Sequence, residues 1–196
     1  SDVCSSDLAS LRADLALALR AAAHHGLGEG ICNHFSVELP DGSNRFLINP
    51  RGLFWAEIGP DDIVMIDEQG NRLAGRYEVE PTAMFIHAAV HRVARKACVL
   101  HTHMPFATAL TLTQQRALDT TLSQNAMRFH GRVAIDARYN GVALSHAEGE
   151  RIAQALFYLA LREPWDEARW RAWAWRYQAR VGSSAPAVRS NHFGSP

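Results

Sequence analysis

The sequence predicts an α/β fold in which helices cover a central, largely antiparallel mixed sheet. Three observations carry that expectation. Apolar residues recur at helical spacing in some segments and alternate at strand spacing in others. The strand segments are short and joined by tight turns, as antiparallel neighbours allow. Helical and strand segments follow one another without the regular strand–helix–strand alternation of a parallel sheet.

The elements follow in chain order. Leu8, Leu11, Leu15 and Leu19 mark one helical stripe, and Gly26 supplies its stop. Phe35, Val37 and Leu39 alternate with His34, Ser36 and Glu38, which predicts a half-buried strand. Asp41-Gly42 turns that strand towards Phe46-Leu47-Ile48 in a hairpin, and Pro50-Arg51-Gly52 ends the second strand. Ile63-Val64-Met65-Ile66 is a further strand, closed by the turn Glu68-Gln69-Gly70-Asn71. Pro81 suits the first position of a helix whose core face holds Met84, Phe85, Ala88 and Val93. The apolar run Ala97-Cys98-Val99-Leu100 predicts a buried strand, and Phe106, Leu110 and Leu112 another helix. Val133-Ala134-Ile135 is expected as a strand. Ser145-His146-Ala147-Glu148 reads as a capping box that opens a helix through Leu156.

A chain of 196 residues fits one domain that can bury a core without disulfide staples. Its 20 acidic residues balance 20 basic ones, so no global charge calls for nucleic acid or a membrane surface as partner. Cys4, Cys32 and Cys98 form no Cys-x-x-Cys pair. Their sparse, odd count without a signal peptide points to the reducing cytoplasm. No apolar run approaches the roughly 20 residues of a membrane span. Residues 1–8 lack periodicity and are expected to be a leader outside the fold; residues 9–156 form the domain.

The chemistry concentrates at His101-Thr102-His103, directly after the apolar run. Residues two apart on a strand share a face, about 6.6 Å apart along the backbone. Two imidazoles so placed can close on one metal ion, and a strand-to-helix mouth is where ligands sit in α/β proteins. Glu80, just before the helix that leads back into this strand, brings a carboxylate suited to a general base. The plain alternative for Glu80 is a solvated carboxylate favoured by the helix dipole. A catalytic zinc usually takes three protein ligands, and no third histidine has an obvious place. His87 and His91 stand four apart on a helix and read as one face of ordinary contacts. His130, His146 and His192 lack a matching context.

Taken in order, several motifs resemble the class II aldolase/adducin family, in its adducin-like bacterial branch. They are Gly30-Ile31-Cys32-Asn33-His34-Phe35-Ser36, Leu47-Ile48-Asn49-Pro50-Arg51-Gly52, Glu80-Pro81-Thr82 and Leu100-His101-Thr102-His103. Ser123-Gln124-Asn125-Ala126, Tyr139-Asn140-Gly141 and Glu148-Gly149-Glu150-Arg151 extend the resemblance to about Leu156. It implies a three-layer α/β/α domain, a homotetramer, and a divalent metal, with Zn²⁺ expected and Fe²⁺ or Mn²⁺ as alternatives. It also implies that His101 and His103 are the first two metal ligands and that Glu80 moves the proton. Asn33, His34, Arg51 and Gly52 become candidate substrate contacts, and the substrate a small carbonyl compound.

The chain departs from the family pattern at three places. Arg51, Glu78 and Val79 stand where sugar-phosphate aldolases carry small hydroxyl residues. Arg51 can still bind an anion through its guanidinium fork, whereas Glu78 would repel phosphate. Asn33-His34 stands where aldolases carry Gly-Asn. The family's Asn-His-Gly-like strand, with its third metal histidine, is not found after Leu156. Trp165, Trp170, Trp173 and Trp175 follow among arginines, and a single lysine, Lys96, stands among the basic residues. Such a bias suggests GC-rich coding DNA, and a frameshift or internal deletion is the expected source of residues 157–196. A poorly packed helix and a disordered tail are expected there. The functional expectation is a metal-dependent aldolase or related carbon–carbon lyase, impaired by loss of the third histidine. The alternatives are a non-catalytic adducin-like assembly module and an iron-dependent oxygenase or decarboxylase relative.

Overall fold

In the computed structural model, residues 5–114 and 118–162 are described. Helix α1 (Ser5–His24) leads to the hairpin of β1 (His34–Glu38) and β2 (Arg45–Ile48). A 3₁₀ turn (Pro60–Asp62) precedes β3 (Val64–Asp67) and β4 (Arg72–Ala74). Helix α2 (Pro81–Ala94) returns the chain to β5 (Cys98–His101). The short helices α3 (Pro105–Thr111) and α4 (Gln124–Met127) and the longer α5 (His146–Arg162) follow. The strands lie in the order β4-β3-β2-β1-β5, and every ladder is antiparallel. The sequence-predicted sheet is confirmed in kind.

Strand alternation divides the core between the two sheet faces. On one face Phe35, Leu39, Leu47 and Met65 pack with Leu15, Ala16, Leu19 and Ala22 of α1 and with Trp55. Each fully buried Leu there stabilises by roughly 1.5–3 kcal/mol relative to exposure. On the other face Phe46, Ile48, Val64 and Ile66 meet Ala83 and Ala88 of α2. Helix, sheet and helix therefore form three layers. Pro81 is the first residue of α2, as expected, and Ser145 Oγ accepts the Glu148 amide at 3.3 Å at the start of α5.

Two compact units divide the chain. The first, within Ser1–Ala117 and Ala134–Tyr158, holds the sheet, α1, α2, α3 and the start of α5. The second, within Leu118–Val133 and Leu159–Pro196, holds α4. There Ser123 Oγ caps α4 by accepting the Ala126 amide at 3.1 Å, and Met127 is buried.

Four features differ from the sequence-based expectation. Strand β4 and helix α4 are additional; β4 has only three residues and joins β3 through an irregular register at Met65/Ile66. Helix α1 begins at Ser5, upstream of Leu8. Val133-Ala134-Ile135 forms no strand, and Val133 and Ile135 are exposed, because three apolar residues do not by themselves provide a pairing partner. Strand β5 stops at His101, so His103 lies beyond it. The expectations for the segment after Arg162 lie outside the described residues.

Helix α5 docks against α2 through Ala153, which packs with Ala89, Val90 and Ala94. Gly149 makes that approach possible: a Cβ there would stand 2.3 Å from the Phe85 carbonyl oxygen. Gly149→Ala should therefore destabilise the fold by about 1–3 kcal/mol, as overpacking does, despite alanine's better helix propensity. Urea denaturation of the two proteins measures the difference.

Candidate metal centre

The β1–β5 register sets His34 directly opposite His101. Both lie on the face shared by Ser36 and Ile48, which α2 covers. Helix α2 brings His87 and His91, one turn apart, onto the same face. His34, His87 and His101 then each offer a ring nitrogen, all within 4.8 Å of one another. Ring centroids are 6.1 Å apart for His34 and His87, 5.9 Å for His34 and His101, and 4.8 Å for His101 and His103.

A hydrogen-bonded chain runs behind this cluster. Ser36 Oγ lies 2.7 Å from both His87 Nδ1 and His91 Nε2. His91 Nδ1 lies 2.6 Å from the Lys96 carbonyl oxygen, and its ring stacks on Phe46. In contrast, both nitrogens of His34 and Nε2 of His87 are buried with no hydrogen-bond partner. His34 is 4% exposed and His87 0%.

Burial dominates the electrostatics. Desolvation, helped by the neighbouring His101 and His103 rings, pushes His34 down to about 4 from its ordinary 6.5. Desolvation holds His87 well below the ordinary value, with His34, His101 and His91 adding to it. His101 is lowered by desolvation and by His103, and His91 by desolvation against the opposing Lys96 bond. The cluster is a set of neutral imidazoles at pH 7, the form in which histidine binds metals.

His103 lies beside the cluster, its ring edge-on to His101, and the other sequence-predicted residues lie at different depths, from buried Asn33 to exposed Arg51 and Gly52. His103 leaves the strand because β1 begins at His34, opposite His101, and provides no partner further on. Its Nδ1 pairs with Glu29. Glu80 occupies the N-cap position of α2 and pairs with Arg51, Nε to Oε2 2.9 Å. Gly52 has φ +89° and open space around it. Asn33 is buried; its Oδ1 accepts the Glu29 amide at 2.7 Å, and its carbonyl accepts from Asn49 Nδ2 and Trp55 Nε1. It thus performs the backbone-satisfying role open to a turn residue.

The sequence alone presents His87 and His91 as ordinary contacts of a helix face and His34 as a candidate substrate contact. The signal that joins them is the polar face of β1, where His34 and Ser36 alternate with apolar residues, facing the i, i+4 histidine pair of α2. His146 lies edge-on to Phe85, and His130 Nδ1 is 3.1 Å from Thr120 Oγ1 in the second unit. His192 lies outside the described residues.

Residues 13–164 match the family described as Class II Aldolase and Adducin N-terminal domain. A Pseudomonas aeruginosa protein that bears the name of a class 2 aldolase protein is 39% identical over 143 residues, 72% of this chain and 54% of its own. A Rhodospirillum rubrum protein named 5-methylthioribulose-1-phosphate/5-deoxyribulose-1-phosphate aldolase is 36% identical over 103 residues, 52% of this chain and 44% of its own. The crystal structure of an aldolase II superfamily protein from Pseudomonas syringae aligns with a TM-score of 0.72 and 32% identity, over 78% of this chain and 62% of that one. The chain spans about half the length of the curated relatives it matches.

The buried histidines give stability a defined acid limit. A ring harder to protonate when folded makes the unfolded chain the better proton binder below pH 6.5. Stability of the metal-free protein should therefore fall as pH drops from 6.5 towards about 4, where the folded His34 ring also protonates. Urea midpoints measured across that window should decline for the wild type and decline less for His34→Gln. Equal slopes for the two proteins would show that His34 is not the group responsible.

Proposed function

The chain belongs to the class II aldolase and adducin family, and from that membership we propose that it acts as a metal-dependent carbon–carbon lyase on a small carbonyl substrate. One observation carries the reading: the His101 and His103 rings lie 4.8 Å apart where β5 ends, beside buried ring nitrogens of His34 and His87 that no group among the described residues engages. Such a donor set suits Zn²⁺, with Fe²⁺ or Mn²⁺ as alternatives. His101 and His103 would hold the ion. When bound, a divalent cation at this place supplies Lewis-acid polarisation of a carbonyl oxygen.

The chain's own residues supply the rest. Glu80 takes the proton from the substrate carbon or returns it. Arg51 fixes the Glu80 carboxylate and, with its side chain largely in solvent, offers the rest of its fork to a substrate anion. Gly52 has open space around it. Glu78, expected to repel phosphate, is paired with Arg72 at 2.7 Å, which offsets its charge. Phosphorylated and carboxylated carbonyl compounds therefore both fit.

No helix among the described residues is long and apolar enough to cross a membrane. We place the protein in the cytoplasm and assign it a homotetramer, which would cover exposed apolar residues such as Leu100 and Phe106. The family also includes adducins, so a non-catalytic assembly module is the reading to be tested against the enzyme. Iron found as the native metal would favour the oxygenase or decarboxylase relative.

The test is release of an aldehyde from ketose phosphates and from their unphosphorylated counterparts by the zinc-loaded protein. Glu80→Gln should lower cleavage by about 10²–10⁴-fold with zinc uptake unchanged. His101→Ala should abolish zinc uptake; retention of a full equivalent would place the site elsewhere. Zinc bound at one equivalent without cleavage of either substrate class would favour the assembly module.

A further inference from the structure

Buried polar atoms are nearly always hydrogen-bonded, so three unpartnered nitrogens on two neighbouring rings, His34 and His87, call for a reason. The hydrogen bonds behind them supply it. The Lys96 carbonyl can only accept, so His91 Nδ1, 2.6 Å away, carries its proton. No carboxylate of the described residues bonds His87 or His91, and both rings are buried, where an unpaired charged imidazole would be costly. His91 Nε2 is then a bare acceptor and takes the Ser36 hydroxyl proton. That hydroxyl has only one proton, so Ser36 Oγ must accept from His87 Nδ1. The relay leaves His87 Nε2 with a lone pair, no partner and no solvent.

We propose that His34, His87 and His101 form an inner seat for one divalent cation, and that Ser36 and His91 are positioning residues that keep Nε2 of His87 deprotonated for it. The three rings come from β1, α2 and β5, so three separate elements of the core fix them. Their nitrogens lie within 4.8 Å of one another. Donors around a tetrahedral zinc at 2.0–2.1 Å stand roughly 3.4 Å apart. Closure onto an ion therefore asks for shifts of about an ångström, and leaves a fourth position open. His103 is engaged by Glu29 outside this set. Because His101 serves both, an ion on the His101–His103 pair and an ion on the inner seat are alternatives. The inference shares His101 with the lyase reading but is decided by ion binding, without turnover.

The relay is read first in the wild-type chain, stripped of metal and labelled with ¹⁵N. Long-range ¹H–¹⁵N spectra should show both His87 and His91 protonated on Nδ1, and the His87 Nε2 resonance should move on adding Zn²⁺. Co²⁺ titration should then give one ion per chain with the visible bands of a tetrahedral nitrogen site. His34→Gln and His87→Gln should each weaken Co²⁺ binding at least tenfold, whereas His103→Gln should change it less than threefold. Ser36→Ala should weaken it about tenfold or more, as loss of a ligand's orienting partner does, and Ser36→Thr should restore it. A merely structural Ser36 would change the melting temperature and leave affinity per folded chain unaltered. The proposal is overturned if apo His87 carries its proton on Nε2, or if folded wild type takes up no ion. It is equally overturned if His103→Gln removes the Co²⁺ while His34→Gln and His87→Gln keep it. Either outcome on ion binding leaves the lyase assay to be judged separately.

Discussion

Strand β1 is buried on both faces, and most of the chemistry follows from that. Its alternation sends Phe35 and Val37 into the α1 layer and His34 and Ser36 into the α2 layer. A polar face pressed against a helix must find partners or pay about 1–3 kcal/mol for each unpaired group. The i, i+4 histidines of α2 meet Ser36 and satisfy it completely. Among the described residues nothing satisfies the ring nitrogens of His34 or the outer nitrogen of His87. The fold therefore carries an imbalance at one end of a well-bonded network, and that end faces His101.

The length of β5 places the site at the margin of the core. Because β1 starts at His34, β5 loses its partner after His101 and the chain turns into α3 at Pro105. His101 stays in the ladder while His103 passes beyond it, its ring edge-on to His101 and its Nδ1 paired with Glu29. Near the start of α2, Arg51 and Glu80 form a partly exposed pair, and Arg72 neutralises Glu78. A guanidinium oriented in this way can offer its free N–H groups to an anion without a buried charge.

Much of this architecture was legible from local pattern. The leucine stripe of α1, the hairpin turn at Asp41-Gly42, Pro81 at the start of α2 and the His101-Thr102-His103 motif are all short-range signals. Each depends on residues within a turn or two of one another. Strand β4 and helix α4 are not legible in the sequence because three- and four-residue elements present too few positions for a period. Val133-Ala134-Ile135 has the composition of a strand, but strands form by pairing, and composition does not name a partner.

The sequence by itself determined most of the longer elements, the family resemblance and the presence of histidines on β1, α2 and β5. Tertiary structure alone decided which of those histidines meet. The facing of His34 and His101 is a matter of register between strands more than sixty residues apart in the chain, and a slip of one residue would leave the two rings on opposite faces of the sheet. The contact of Ser36 with His87 and His91 depends on how α2 lies across the sheet. Periodicity reports which face of an element is apolar; only packing determines what that face is pressed against, and here it gathers three neutral imidazoles in one buried place.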